Sequence, residues 1–273
     1  MTGSEPPGGG TTYVYGVTRP GAAPPDVEGG GGAAGGAHDA TVEGVGGAPV
    51  RLVARGSLGA LVSDVDPEDV RAASRSLRAH ARVLDAAVRA GPVVPLRFGT
   101  LVDGDDAVVD RILRPHSDRL DALLDDLGPH VELAVKASYD EDAIVRQLVA
   151  AEPALAAQHE RLAGIDPEAA YYERIRLGEQ VAAALDRRRD DDADEIYAAL
   201  GELAAAVNPG EPLDPHMVVN GTFLVRRTDV GAFDDRIGAV ARDHPEIRLR
   251  YVGPLAPYSF SSLDSSDELG PVG

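Results

Sequence analysis

Imidazole, carboxylate and hydroxyl side chains are the groups to weigh first for chemistry, because the chain contains no cysteine. That absence removes disulfides, thiolate metal sites and a cysteine nucleophile together. The seven histidines, His38, His80, His116, His130, His159, His216 and His244, never stand three or four residues apart. No helix therefore offers the paired imidazoles of a zinc site, and each histidine reads as a surface or capping residue. A serine hydrolase would place Gly-x-Ser-x-Gly on a strand-to-helix turn; Gly56-Ser57-Leu58-Gly59 is one residue short of it and falls between two strands. Gly44-Val45-Gly46-Gly47 precedes a strand, the reverse of a dinucleotide-binding loop, and no Walker lysine follows any glycine loop. The acidic cluster Asp103-Gly104-Asp105-Asp106 and the run Asp190–Glu195 lack the register of a calcium loop. They read as a helix N-terminus carrying charge that suits the helix dipole, and as a solvated turn. No catalytic residue, cofactor or metal is expected.

The elements that would position any site follow from periodicity and punctuation. Thr12–Val17 is β-branched and aromatic, and reads as a strand; Val50–Arg55 and Leu58–Asp64 read as a hairpin about Gly56-Ser57. Asp66 and Pro67 open a helix with Val70, Ala73, Leu77, Ala81, Leu84 and Val88 on its apolar face, closed by Gly91-Pro92. Val93–Phe98 reads as a strand whose Pro95 marks an edge or a bulge. A second helix starts near Asp103, with Val108, Ile112, Leu120 and Leu124 inward and a break at Pro115, and Val131–Ala137 alternates as a strand. Residues 140–207 read as helical, interrupted near Pro153 and at Gly164–Pro167, and Asn208–Pro212 ends them. A strand over Met217–Val225, a helix over Asp229–Arg242 and a strand over Glu246–Val252 follow, the last turned by Gly253-Pro254. The class is α+β: an N-terminal modified ferredoxin-like domain, an antiparallel sheet with helices on one face, then a C-terminal α+β domain with a long helical segment. The expected boundaries are 1–11 for a disordered N-terminus, 12–138 for the first domain with a mobile Gly-rich insert at 20–47, 139–260 for the second, and 261–273 for a loose acidic tail.

The composition narrows the function classes. Among 273 residues, 26 are basic and 45 acidic, a formal charge of −19, which disfavours nucleic acid and anionic lipid as partners. No run approaches the roughly 20 apolar residues of a spanning helix, and MTGSEPPGGG carries no secretory signal. Aromatic residues make up 4% of the chain, so Ala, Val and Leu must fill the core.

Val93-Val-Pro-Leu-Arg-Phe-Gly-Thr100 sets an arginine beside an aromatic after a proline within a strand, with Arg97 and Phe98 on opposite faces. An arginine so placed can simply pair with a carboxylate at a sheet edge. The segment also resembles a signature of the gas vesicle accessory proteins of the GvpF/GvpL family. Tyr13–Val17, Leu58–Ser63, Glu132–Ala137 with the chain's one lysine, Lys136, Tyr172–Gly178, Asn220–Val225 and Gly253–Phe260 resemble further family motifs in the same order. The closing motif departs where the family carries tryptophan and a second proline, here Leu255 and Ala256.

The resemblance implies a cytoplasmic, non-enzymatic accessory factor in forming gas vesicles, with two α+β domains. Its partners would be the very hydrophobic gas vesicle shell protein and other gas vesicle accessory proteins, bound in a chaperone-like or adaptor role. Candidate partner-binding residues are Pro95, Arg97, Phe98, Lys136, Tyr258 and Phe260. A strand of the partner would add at the sheet edge near Pro95, with Arg97 fixing that edge. The alternatives are a minor structural component retained in the vesicle and, more remotely, a small-molecule enzyme on a ferredoxin-like fold.

Overall fold

The computed structural model describes residues 10–24, 27, 42–71, 73–166 and 168–261. Residues 1–9 of the expected disordered start, most of the 20–47 insert and nearly all of the acidic tail lie outside these residues, whereas Thr11, expected in that start, opens the first strand. Two compact units form: Met1–Glu132 together with Gly253–Gly273, and Leu133–Val252. The described segment 253–261 thus clusters with the first unit, not with the second as its chain position suggested.

In the first unit, β1 (Thr11–Thr18), β2 (Arg51–Arg55), β3 (Leu58–Asp64), α1 (Pro67–Arg71), α2 (Ala73–Ala90), β4 (Val93–Pro95) and β5 (Leu101–Asp103) are followed by α3 (Gly104–Ala107). That helix continues as a π-helical stretch over Val108–Leu113, and α4 (Ser117–Leu127) follows. The sheet is five-stranded in the order β2-β3-β1-β4, with β5 also beside β1. β1 pairs antiparallel with β3, β4 and β5. The Gly56 turn has φ +60° and closes the β2–β3 hairpin, in which Arg51 faces Val62 and Arg55 faces Leu58.

The α+β class and the antiparallel sheets agree with the sequence reading; the placement of helices differs from it. β1 is buried from Thr12 to Thr18 because helices cover both faces of the sheet. On one face Val14, Val17, Ala60, Val62, Val94 and Leu96 pack with Ile112, Leu113, Leu120 and Leu124. On the other face Tyr13 and Tyr15 meet His80 of α2. A bulge between Val14 and Gly16 allows this. It lets Val14 and Val17, three residues apart, share one face, and turns Gly16 towards α2. A Cβ on Gly16 would lie 2.8 Å from the Val94 carbonyl oxygen and 3.1 Å from Leu84 Cδ2. Gly16→Ala should therefore destabilise the unit by about 1–3 kcal/mol in chemical denaturation. A loss below about 0.5 kcal/mol would show that β1 can shift to admit the methyl group.

α2 also corrects the reading of its face. Leu77 is 53% exposed, and the buried stripe runs through Ser76, Ala79, His80, Val83, Leu84, Ala87 and Val88. Periodicity assigns the stripe by hydrophobicity, and His80 could enter it only because polar partners await it.

The second unit contains most of β6 (His130–Tyr139), then α5 (Glu141–Ala151), α6 (Pro153–Ala163), α7 (Tyr171–Gly201), β7 (Ala204–Pro209), β8 (Met217–Arg226), α8 (Val230–Asp243) and most of β9 (Ile247–Leu255). Its sheet runs β7-β8-β6-β9. Asp140 caps α5 by accepting from the Ala143 amide at 3.1 Å, and Pro153 occupies the first turn of α6. Four expectations change here. Residues 204–207 are strand rather than helix, because β8 offers a partner and tertiary pairing overrides the helix propensity of alanine. Asn208 and Pro209 belong to that strand, and β9 continues through Gly253-Pro254 instead of turning there. The run Asp190–Glu195 is part of α7, not a solvated turn, and Asp192 is buried.

Candidate partner-binding surface

The Val93–Phe98 segment is not one strand. β4 stops at Pro95, which lacks the N–H that would continue the ladder. The Leu96 amide still donates to the Tyr15 carbonyl at 2.9 Å, and the Val14 amide donates to Thr100 O at 3.0 Å. Pairing with β1 then resumes in β5, where Leu101 faces Tyr13. Arg97, Phe98 and Gly99 are thus looped out of an otherwise continuous edge. Gly99 has φ +87°, a value that favours glycine and makes the excursion possible. The Thr100 hydroxyl donates to Arg97 O at 2.7 Å and tightens the turn.

One buried polar chain holds this loop. The Gly99 amide donates to the Tyr13 hydroxyl at 3.0 Å, and that hydroxyl meets His80 Nδ1 at 2.9 Å. His80 Nε2 bonds the Tyr258 hydroxyl on the other side of the ring. A neutral imidazole carries one proton and serves both tyrosines in either tautomer. Burial favours that neutral form and pushes the ring down to about 4. Burial likewise pushes the Tyr13 and Tyr258 hydroxyls up. Phe98 packs edge-on against His80 at 5.7 Å between ring centroids, and Tyr258 lies at 6.1 Å from it. Beside this, the Tyr15 hydroxyl donates to Ser63 Oγ at 3.0 Å and accepts from the Val45 amide at 2.8 Å.

A second tie secures the C-terminal segment. Glu132 is buried and accepts from the Ser259 amide at 2.8 Å and the Ser259 hydroxyl at 3.1 Å. Burial raises its pKa against the opposing pull of those bonds.

Of the six candidate residues, Phe98 and Tyr258 come together around His80. Pro95 is buried in β4 and shapes the loop from within. Arg97 is exposed, and its guanidinium has no ion pair among the described residues, so the expected carboxylate partner is absent there. Phe260 is half-buried in the short turn Tyr258–Phe260. Lys136 is an exposed residue of β6 in the second unit. The sequence reading missed His80 altogether, because nothing local distinguishes a histidine that two distant tyrosines will satisfy.

It also passed over apolar surface on and between the helices of the second unit. Ile165, Tyr171, Tyr172 and Ile175 are 46%, 59%, 81% and 43% exposed. A groove of about 390 Å³ runs between α5, α6 and α7, lined by Val145, Val149, Leu162, Leu177 and Val181 among others. Among the described residues no helix is long and apolar enough to cross a membrane.

Two antiparallel sheets, helices on both faces of the first and a C-terminal segment tied back to the first unit define a two-unit α+β protein whose distinctive surface is a looped-out Arg-Phe-Gly. The model of the family described as "Gas vesicle synthesis protein GvpL/GvpF" matches residues 11–262, and the chain belongs to that family. It is 37% identical over 260 residues to gas vesicle protein F of Streptomyces sp. (strain CB03234), covering 92% of this chain and 99% of that one. Gas vesicle protein L of the same strain is 30% identical over 285 residues, covering 93% and 94%. The crystal structure of GvpF from Anabaena sp. PCC7120 superposes with a TM-score of 0.72 at 24% identity, covering 93% and 99%, and shares the fold.

Proposed function

We propose that this gas vesicle protein is an assembly factor that binds the hydrophobic shell protein, other gas vesicle proteins, or both, without catalysing a reaction. The observation that carries the reading is the Arg97 loop. Arg97, exposed and without an ion pair among the described residues, is followed in the loop by Phe98, whose ring packs on His80 as that of Tyr258 does, in a chain with 45 acidic residues. A surface that sets such a guanidinium and an aromatic residue next to each other suits a partner. The strong net negative charge keeps a complex with an aggregation-prone subunit dispersed.

Strand addition at β4 is not part of this reading. β4 is three residues long and wholly buried, and its proline lacks a donor. Contact through the loop side chains replaces it. The test is co-expression with the shell protein, scoring the soluble shell protein that co-purifies. Arg97→Ala should reduce it several-fold while the melting temperature stays within about 2 °C of wild type, since a surface change away from packing costs little. Undiminished capture, or a variant that melts early, would remove Arg97 from the contact. Complete absence of shell protein from the wild-type complex would leave the other gas vesicle proteins as partners.

A further inference from the structure

Asp192 and Glu195 stand three residues apart on one face of α7, and His244 immediately follows α8. Their ligand atoms all lie within 4.8 Å of one another. Glu246, just before β9, completes the surroundings. Asp192 Oδ2 is fully engaged, accepting from the Tyr139 hydroxyl at 2.7 Å and Arg188 Nε at 2.9 Å. Its other oxygen, Oδ1, is 4.0 Å from His244 Nδ1, and Glu246 Oε1 is also 4.0 Å from that nitrogen. Glu195 Oε1 lies 3.8 Å from His244 Nε2. These separations are too long for hydrogen bonds.

The imidazole itself is the second observation. His244 is 6% exposed, and its buried Nδ1 has no hydrogen-bond partner. An orphaned buried nitrogen is costly and calls for an explanation. Charge points the same way. Asp192 and Glu246 are buried and Glu195 adds a third carboxylate, whereas Arg188 is the one guanidinium paired with them among the described residues. The two buried carboxylates share that single guanidinium, so buried negative charge exceeds it by one, and buried charge needs a counter-charge.

We propose that Asp192, Glu195 and His244, with Glu246 beside them, form a site for one divalent transition-metal cation of the Zn²⁺ type. An imidazole with carboxylates suits Zn²⁺ better than Mg²⁺ or Ca²⁺, which take oxygen alone. Ligands at about 2.0–2.2 Å from one ion stand roughly 3–4 Å apart, so closing this set requires movement of about 1 Å. Glu195, whose side chain is 68% exposed, is free to supply most of it. The ion would join α7, the end of α8 and the start of β9.

The test is calorimetric titration of the full chain, stripped with a chelator and desalted, with ZnCl₂ and separately with MgCl₂. One Zn²⁺ per chain should bind, with a higher melting temperature. Glu195→Gln and His244→Gln should each weaken binding by at least about tenfold. Glu195 is exposed, so its variant stays informative if His244→Gln fails to fold. No saturable Zn²⁺ uptake, binding by either folded variant as tight as that of the wild type, or preference for Mg²⁺ would each overturn the site.

Discussion

Phe233→Ala should lower the stability of the second unit by about 3–5 kcal/mol, the range for truncating a buried phenylalanine. Phe233 has no exposed surface, and its ring lies 5.5 Å from that of Phe223 and 6.1 Å from that of Tyr251. Phe223 in turn stacks on Tyr197 at 6.0 Å. The chain has four phenylalanines and no tryptophan, so small aliphatic neighbours must close any hole, and they reach poorly. Hydrogen exchange of the β8 amides measures the effect locally, which matters because a single unfolding free energy is poorly defined for a chain of two units. A change below about 1 kcal/mol would mean that α8 can settle onto β8 and fill the space. Phe233→Leu should cost less than half as much, since it keeps most of the volume.

Acid should weaken the first unit through His80 by up to about 3 kcal/mol. The unfolded imidazole titrates near 6.5 and the folded one near 4. Between those values the unfolded chain holds more protons, so stability falls as the pH falls. The contribution is complete above pH 6.5 and lost as the pH approaches 4. A doubly protonated ring would also require both Tyr13 and Tyr258 to accept, although Tyr13 already accepts from Gly99. Glu132 and Asp85 act in the opposite sense, because burial raises both carboxyls and their protonation favours the fold. Comparing wild type with His80→Gln between pH 7 and pH 4 isolates the imidazole. The variant should start less stable and lose less on acidification. Parallel curves would rule out His80 as the origin of the acid sensitivity.

What the sequence revealed was local. β3 runs over Leu58–Asp64 as its composition and flanking turns required, and Val108, Ile112, Leu120 and Leu124 are inward as their spacing predicts. The motifs also carried the family, which the match over residues 11–262 establishes. Misreadings arose where a partner distant in sequence decided the outcome. Ala204–Val207 has the composition of a helix and became a strand because β8 was there to pair with it. Arg97 and Phe98 looked like alternating strand residues, yet Pro95 and the left-handed Gly99 lift them out of the ladder. His80 and Tyr258 are 178 positions apart, and no spacing rule links them. The same holds for Asp192 and His244, one inside an acidic run and the other an isolated histidine. Their convergence belongs to the packing of α7 against α8, and periodicity along either helix says nothing of it.

The strap formed by residues 256–261 has a consequence for the order of events during synthesis. Ser259 meets Glu132 across 127 positions, and all of Leu133–Val252 lies between the two parts of the first unit. A nascent chain can build the β1–β5 sheet early, but His80 and Glu132 gain Tyr258 and Ser259 only after those two residues have left the ribosome. Closing so long a span is entropically costly but grows slowly with length, so lateness rather than expense sets this step apart. Until then the rings around His80 stay uncovered on one side, and the nascent unit depends on a segment made after the whole second unit to finish them.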